Sequence, residues 1–231
     1  MLAERVQAEG GLRERGGAQR RPRERRAAVH HPLVVGEVEA AGDCTAGFIT
    51  VLAFDDARAA AKPSSMWTTF VGGHGVSVSV SHVDTAASGL TSITGTVRRT
   101  ATAYAPEYVD AALRVPSSLW ESAQADVAQD NAATLVPPMD GAQCGWVAAY
   151  DTGRGHLLWA SLSCGSSTAD DVVVRGSSVS QGNVVVCGSA RGSVRHVVAA
   201  PGATASADSE DAVAATAPTS DHAATFVAGF S

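Results

Sequence analysis

Residues 146–188 read WVAAYDTGRGHLLWASLSCGSSTADDVVVRGSSVSQGNVVVCG. Turns rich in Gly, Asp and Ser divide this stretch into four short apolar runs: Trp146–Asp151, Leu158–Gly165, Asp171–Val174 and Gly182–Gly188. The same order occurs upstream. Thr50–Asp55 (TVLAFD), Met66–Gly73 (MWTTFVGG), Val76–Val83 (VSVSVSHV) and Gly89–Gly95 (GLTSITG) match the four runs in turn. Trp67 and Trp159 each stand six residues before a glycine, Gly73 and Gly165, and lie 28 and 29 residues before Gly95 and Gly188. Phe226–Ser231 (FVAGFS) opens a third copy. Four matches in one order at nearly constant spacing mark an internal repeat.

Each unit reads as antiparallel β, because short runs bounded by turn residues form hairpins rather than crossover helices. Val76, Val78 and Val80 alternate with Ser77, Ser79 and Ser81, which predicts a strand with one apolar and one polar face. His82 falls in the inward phase of that strand and is expected as a hydrogen-bonded structural histidine. Val184–Val186 is a continuous apolar run and predicts a strand covered on both faces. The units span residues 50–95 and 146–188, close to the about 40–50 residues of a four-stranded propeller blade. The fold expected is all-β: antiparallel four-stranded blade-like repeats in a partial or open propeller. Phe54, Tyr150 and Phe230, with Trp67 and Trp159, are expected to fill the space between neighbouring sheets. Gly73, Gly95, Gly165 and Gly188 complete the set of repeated structural positions.

These residues resemble the bacterial beta-propeller repeat of large surface proteins. The likeness rests on FVAGFS at Phe226–Ser231, WVAAYD at Trp146–Asp151, LWASLSCG at Leu158–Gly165 and GNVVVCG at Gly182–Gly188, with a weaker copy in Met66–Gly73 and Gly89–Gly95. The resemblance implies a propeller-like fold and a binding or scaffolding role, with no catalytic residues.

Two insertions separate the units. In residues 96–145, Ser118-Leu-Trp-Glu121 fits an S-x-x-E capping box. The Ala-rich residues after it predict a short helix ending at Pro137-Pro138. Residues 189–225 are small, acidic and rich in Ala, Ser and Thr, and read as a disordered loop. Leu33–Gly36 (LVVG) reads as the last strand of a preceding blade. Two and a half units cannot close a ring of roughly four to eight blades. A fragment, an oligomer and an open sandwich are the three arrangements that follow, with self-association through sheet edges and loops, or a protein partner, expected.

Composition bounds the rest. The 231 residues are 45% hydrophobic and 17% charged with a net charge of -6, which permits a buried core. Residues 1–32 form an Arg-rich tail whose basic block is Arg20–Arg26 (RRPRERR). It reads as a solvated, disordered tail, and nucleic acid is not expected as a partner of the acidic remainder. No apolar run of 18 residues occurs, so no membrane-spanning helix is expected. No secretory leader is read after the tail.

Candidate chemistry is sparse. Cys44, Cys144, Cys164 and Cys187 show no C-x-x-C spacing, so no zinc site and no cofactor is expected. Cys164 and Cys187 hold similar late-strand positions and are candidates for neighbours across a sheet; free buried thiols are the expectation. His74 lies in a Gly-rich turn, Gly72–Gly75, followed by a strand rather than by the helix a phosphate cradle needs. Asp170 and Asp171 precede a strand and are expected to accept backbone amides. The leading functional expectation is a non-enzymatic interaction or scaffold module. The alternative is a hydrolase or lyase with His82 or His156 converging on Asp170 or Asp171 between blades.

Overall fold

The computed structural model describes residues 33–40, 44–53, 64–73, 75–100, 111–117, 131–138, 143–165, 171–180, 182–209, 213–215 and 224–230. Every regular element among them is a β-strand. The Arg-rich tail, Phe54, His74, Asp170 and the capping box at Ser118–Glu121 lie outside the described residues.

Three sheets stack as layers. The first is β1 (Leu33–Ala40), β2 (Cys44–Ala53) and β3 (Ser64–Val71), in that order. The middle sheet carries β4 (Val76–Thr85), β5 (Leu90–Arg99), β8 (Cys144–Asp151) and β9 (Leu157–Gly165) as an antiparallel run. Beyond β9 it is extended by β12 (Val194–Ala199) and β14 (Val213–Ala215). The third is β10 (Val172–Ser180), β11 (Asn183–Ala190) and β15 (Ala224–Phe230). A small fourth sheet pairs β6 (Leu113–Val115), β7 (Ala133–Val136) and β13 (Thr204–Ser206), the β13–β7 pair being parallel.

One apolar cluster joins Ile49, Val51, Trp67 and Val71 of the first sheet to Val76, Ile93, Trp146 and Leu162 of the middle one. A second joins Val147 and Ala149 to Val174, Val184 and Val186 of the third. The middle sheet is thus covered on both faces, and all of Cys144–Tyr150 is buried. A strand in that position tolerates no charge, which accounts for the run CGWVAAY. Val184–Val186, expected to be covered on both faces, is not. Val185 is 44% exposed between two buried valines, because β11 lies in an outer layer.

The repeat is real in the pairing, but its frame differs from the sequence match. Gly36 faces Phe48, Gly95 faces Trp146, and Gly188 faces Phe226. A bulge follows the glycine's other partner in both complete cases, between Val80 and His82 on β4 and between Val174 and Gly176 on β10. A sheet therefore takes the last two strands of one unit and the first two of the next, as β4-β5-β8-β9. The chain changes layer inside the unit, at Gly72–Gly75. There Gly72 pairs with Arg114, and a Cβ on Gly73 would lie 1.8 Å from Ala112 O. The first-strand match also shifts by two residues: Phe48, not Thr50, is the counterpart of Trp146 and Phe226. Leu52 thus takes the place that the sequence match gave to Phe54. A shift of two preserves which face each side chain takes, so alternation alone cannot fix it. Leu33–Ala40 pairs β2 in the same register as β5 pairs β8, Gly36 facing Phe48 as Gly95 faces Trp146.

The β4 bulge corrects a second expectation. The extra residue, Ser81, moves the inward phase from His82 to Val83, which packs against the core, and His82 is exposed. Ser81 Oγ donates across the layers to Val174 O at 3.1 Å.

The insertions are corrected as well. Ala133–Val136, read as the tail of a helix, is strand β7, with Ala133 and Leu135 buried at a period of two. Buried Arg99 fixes this insertion to the middle sheet, its guanidinium donating to Pro137 O (3.1 Å) and Ala111 O (3.2 Å). Residues 189–225, read as a loop, contain β12, β13 and β14; Val194, Val197 and Ala199 are buried where β12 pairs β9. The low-complexity composition of the whole segment masked this six-residue strand.

The expectation of free, buried thiols is overturned for Cys144 and Cys164, and for Cys187 only in its burial. Cys144 and Cys164 lie directly opposite on β8 and β9, 4.5 Å apart at Cα, and form a disulfide. Cys187 is a free, exposed thiol in the third sheet, one layer away from Cys164.

Candidate functional site

The repeated aromatics tie one layer to the next. Trp67 of the first sheet stacks on Tyr150 of the middle sheet, with ring centroids 5.7 Å apart. Trp159 of the middle sheet stacks on Phe230 of the third at 5.1 Å. Tyr150 and Phe230 both stand four residues after the aromatic that faces a glycine. Each such ring pair adds about 0.5–1.5 kcal/mol beyond the burial of its area. Trp67 Nε1 donates to Thr152 O at 2.7 Å, and Tyr150 OH donates to Pro116 O at 3.1 Å. Burial raises the Tyr150 pKa far above the ordinary phenol value. Gly165 is buried opposite Val194, and Gly73 is exposed at the layer crossing.

The glycine positions are close approaches. A Cβ on Gly95 would lie 2.8 Å from Trp146 Nε1, and one on Gly188 would lie 2.7 Å from Phe226 Cε1. Trp146 Nε1 spans this contact, donating to Ser79 O and Thr96 O at 3.2 Å each.

Between the middle and third sheets, β9 presents Ser161 and Ser163 beside Trp159. Ser163 Oγ and His196 Nδ1 are 2.8 Å apart, and the imidazole lies against Phe226 and Phe230. Burial lowers the His196 pKa below its ordinary value of 6.5. Ser161 Oγ is buried without a hydrogen-bond partner. The pair is a hydroxyl–imidazole contact inside a packed interface, with Ser163 only 2% exposed. A groove of about 520 Å³ between β12 and β13 is lined by His196, Val198, Thr204 and Ser206 among others, and His196 is the one titratable residue among its described lining.

Of the residues that the hydrolase expectation needs, the three described ones, His82, His156 and Asp171, are not brought into such an interior. His82 is exposed on β4 and His156 is exposed in the β8–β9 turn. Asp171 Oδ1 accepts a backbone amide at 3.0 Å, but that of Gln143, 28 residues away, rather than one in its own turn. Among the described residues, no three His, Cys, Asp or Glu side chains converge as a metal site. No helix there is long and apolar enough to cross a membrane.

The feature that stands out is β15. It pairs β11 on one side, and no described strand pairs its other edge. Its sequence ATFVAGF has neither charge nor proline, the devices that blunt an exposed edge. Val227 is 70% exposed, whereas its counterparts Ile49 and Val147 are 0% and 1% exposed. Val185 and Cys187 continue the exposed apolar face on β11. The matched first strands Trp146–Asp151 and Phe226–Ser231 were visible in the sequence; that one ends buried and the other exposed was not.

Comparison with protein-family models, curated proteins and solved structures found no match to this chain.

Proposed function

We propose that this chain is a non-enzymatic β-repeat interaction module, of the propeller-like kind its sequence resembles, that binds protein partners by accepting a strand at an open sheet edge. The observation that carries this reading is the state of β15: unpaired on one side among the described strands, uncharged, and with Val227 exposed where Ile49 and Val147 are buried. An unpaired strand offers a row of backbone donors and acceptors to an incoming strand, and alternate side chains supply specificity. The scaffold behind it is stiff: the layer it packs on is covered on both faces and cross-linked by Cys144–Cys164.

Hydrogen exchange tests the reading. Alternate β15 amides, those turned away from β11, should exchange at least about a hundredfold faster than any amide of β8, since protection follows hydrogen bonding and burial. Equal protection of β15 and β8 in the isolated chain would mean the edge is already occupied, and the proposal would fall.

A further inference from the structure

The two other sheets show what belongs on that edge. On β2 the edge away from β1 is taken by β3, with Phe48 opposite Phe70 and Val51 opposite Trp67. On β8 the equivalent edge is taken by β9, with Trp146 opposite Leu162 and Ala149 opposite Trp159. The two registers coincide residue for residue, and both shift immediately after the Trp partner, between Val51 and Leu52 and between Ala149 and Tyr150. The incoming strands share W-x-x-Φ: Trp67-Thr-Thr-Phe70 and Trp159-Ala-Ser-Leu162. The third sheet supplies the receiving half of this arrangement, since Phe226 faces Gly188 as Trp146 faces Gly95. The position that receives tryptophan is then Gly229, which has open space where a Cβ would point.

Resting on the strand-acceptor reading above, we infer that the β15 edge accepts an antiparallel strand of W-x-x-Φ type, with its Trp opposite Gly229 and its large apolar residue opposite Phe226. The Trp of such a strand would lie on the exposed outer face of the third sheet, beside Gly229. Val227 and Gly229 correspond to Val147 and Ala149, and Val185 and Cys187 correspond to Ser92 and Thr94. All four of those middle-sheet residues are buried against the third sheet. In the middle sheet the edge is filled by β9 and the face by the third sheet, so the incoming strand takes the edge of β15 and lays its Trp on the outer face beside Gly229. β3 and β9 are already paired, and Trp120 and Trp146 have Ala three residues on, so the strand comes from outside these 231 residues, and the chemistry that selects it is an indole set three residues before Phe or Leu. Self-pairing of two β15 strands is the competing occupant. It would bring no tryptophan, since β15 is ATFVAGF.

The test uses the whole chain and a fluorescein-labelled peptide of the β3 sequence, SSMWTTFV, against the same peptide with Trp67→Ser. Binding is read by anisotropy, its site by hydrogen-exchange protection of β15, and the chain's own oligomeric state by sedimentation. The expected result is protection of Ala224–Phe230 by the Trp peptide, with at least a tenfold weaker affinity for the Ser peptide. The Val227→Lys chain should bind the Trp peptide at least tenfold less well, and changing only the peptide guards against a variant chain that fails to fold. Equal binding of both peptides at β15 would overturn the Trp inference and leave the acceptor reading standing. A concentration-dependent dimer that protects β15 and excludes both peptides would assign the edge to a second copy and overturn the inference. Absence of any binding or protection at β15 would overturn both readings.

Discussion

Adding one methyl group at Gly95 tests the repeat at its mechanical centre. An ideal Cβ there would lie 1.8 Å from Ser79 O and 2.8 Å from Trp146 Nε1. Ser79 O is backbone, so relief requires β4 to retreat by more than an ångström, and the indole must also leave its position. Overpacking of this kind costs about 1–3 kcal/mol. Moving the indole also breaks its hydrogen bonds to Ser79 O and Thr96 O, each contributing about 1 kcal/mol net. Gly95→Ala should therefore destabilise the chain by about 3–5 kcal/mol. Gly188→Ala meets Val173 O at 2.2 Å and the Phe226 ring at 2.7 Å. It should cost about 1–3 kcal/mol, because no ring hydrogen bond is lost. Gly229→Ala meets open space and should stay within about 0.5 kcal/mol of the wild type. Urea unfolding followed by tryptophan fluorescence ranks the three. With a slope of roughly 2 kcal/mol per molar, Gly95→Ala should lower the midpoint by about 1.5–2.5 M. A Gly95→Ala loss below about 0.5 kcal/mol, or a Gly229→Ala loss equal to it, would refute the glycine–aromatic contact as the element that sets the register.

Two further outcomes follow from buried chemistry. The Cys144–Cys164 disulfide closes a span of 20 residues, so reduction should lower stability by about 3 kcal/mol. In the native chain an alkylating reagent should label Cys187 without reductant, and should label Cys144 and Cys164 only after reduction. Peptide mapping reads both, and labelling of Cys144 without reductant would contradict the pairing. His196, whose pKa burial lowers from 6.5, makes folding disfavour its proton. The unfolded chain binds more protons in the window just below 6.5, so the His196 contribution should fall as pH drops through that value and level off below the folded pKa. His196→Gln should flatten the slope of stability between pH 7 and 5 relative to wild type, and an unchanged slope would remove His196 as its source.

Much was legible in the sequence because it rests on local periodicity. Alternating and turn-bounded apolar runs are properties of the chain itself, and they gave the all-β class. The matched Trp67 and Trp159 were correctly read as residues that fill the space between sheets. Asp171 does accept a backbone amide, but that of Gln143 across the fold rather than one in its own turn. What is not local was missed. The six-residue strand β12 disappeared into a low-complexity average, and one inserted residue, Ser81, exchanged His82 for Val83.

The sequence alone determined that this protein is built of short antiparallel strands carrying repeated aromatic and glycine positions. Side-chain alternation and turn chemistry act over a few residues and need no partner strand to be recognised. The tertiary structure decided which strands share a sheet, because the glycine and the aromatic that fix each register lie on different repeat units. It also decided the disulfide partner, since opposition across a ladder depends on pairing and not on similarity of position. Exposure was decided there as well. Val147 and Val227 occupy the same place in the repeat, and only the layer stacked beyond the first makes one buried and the other a surface.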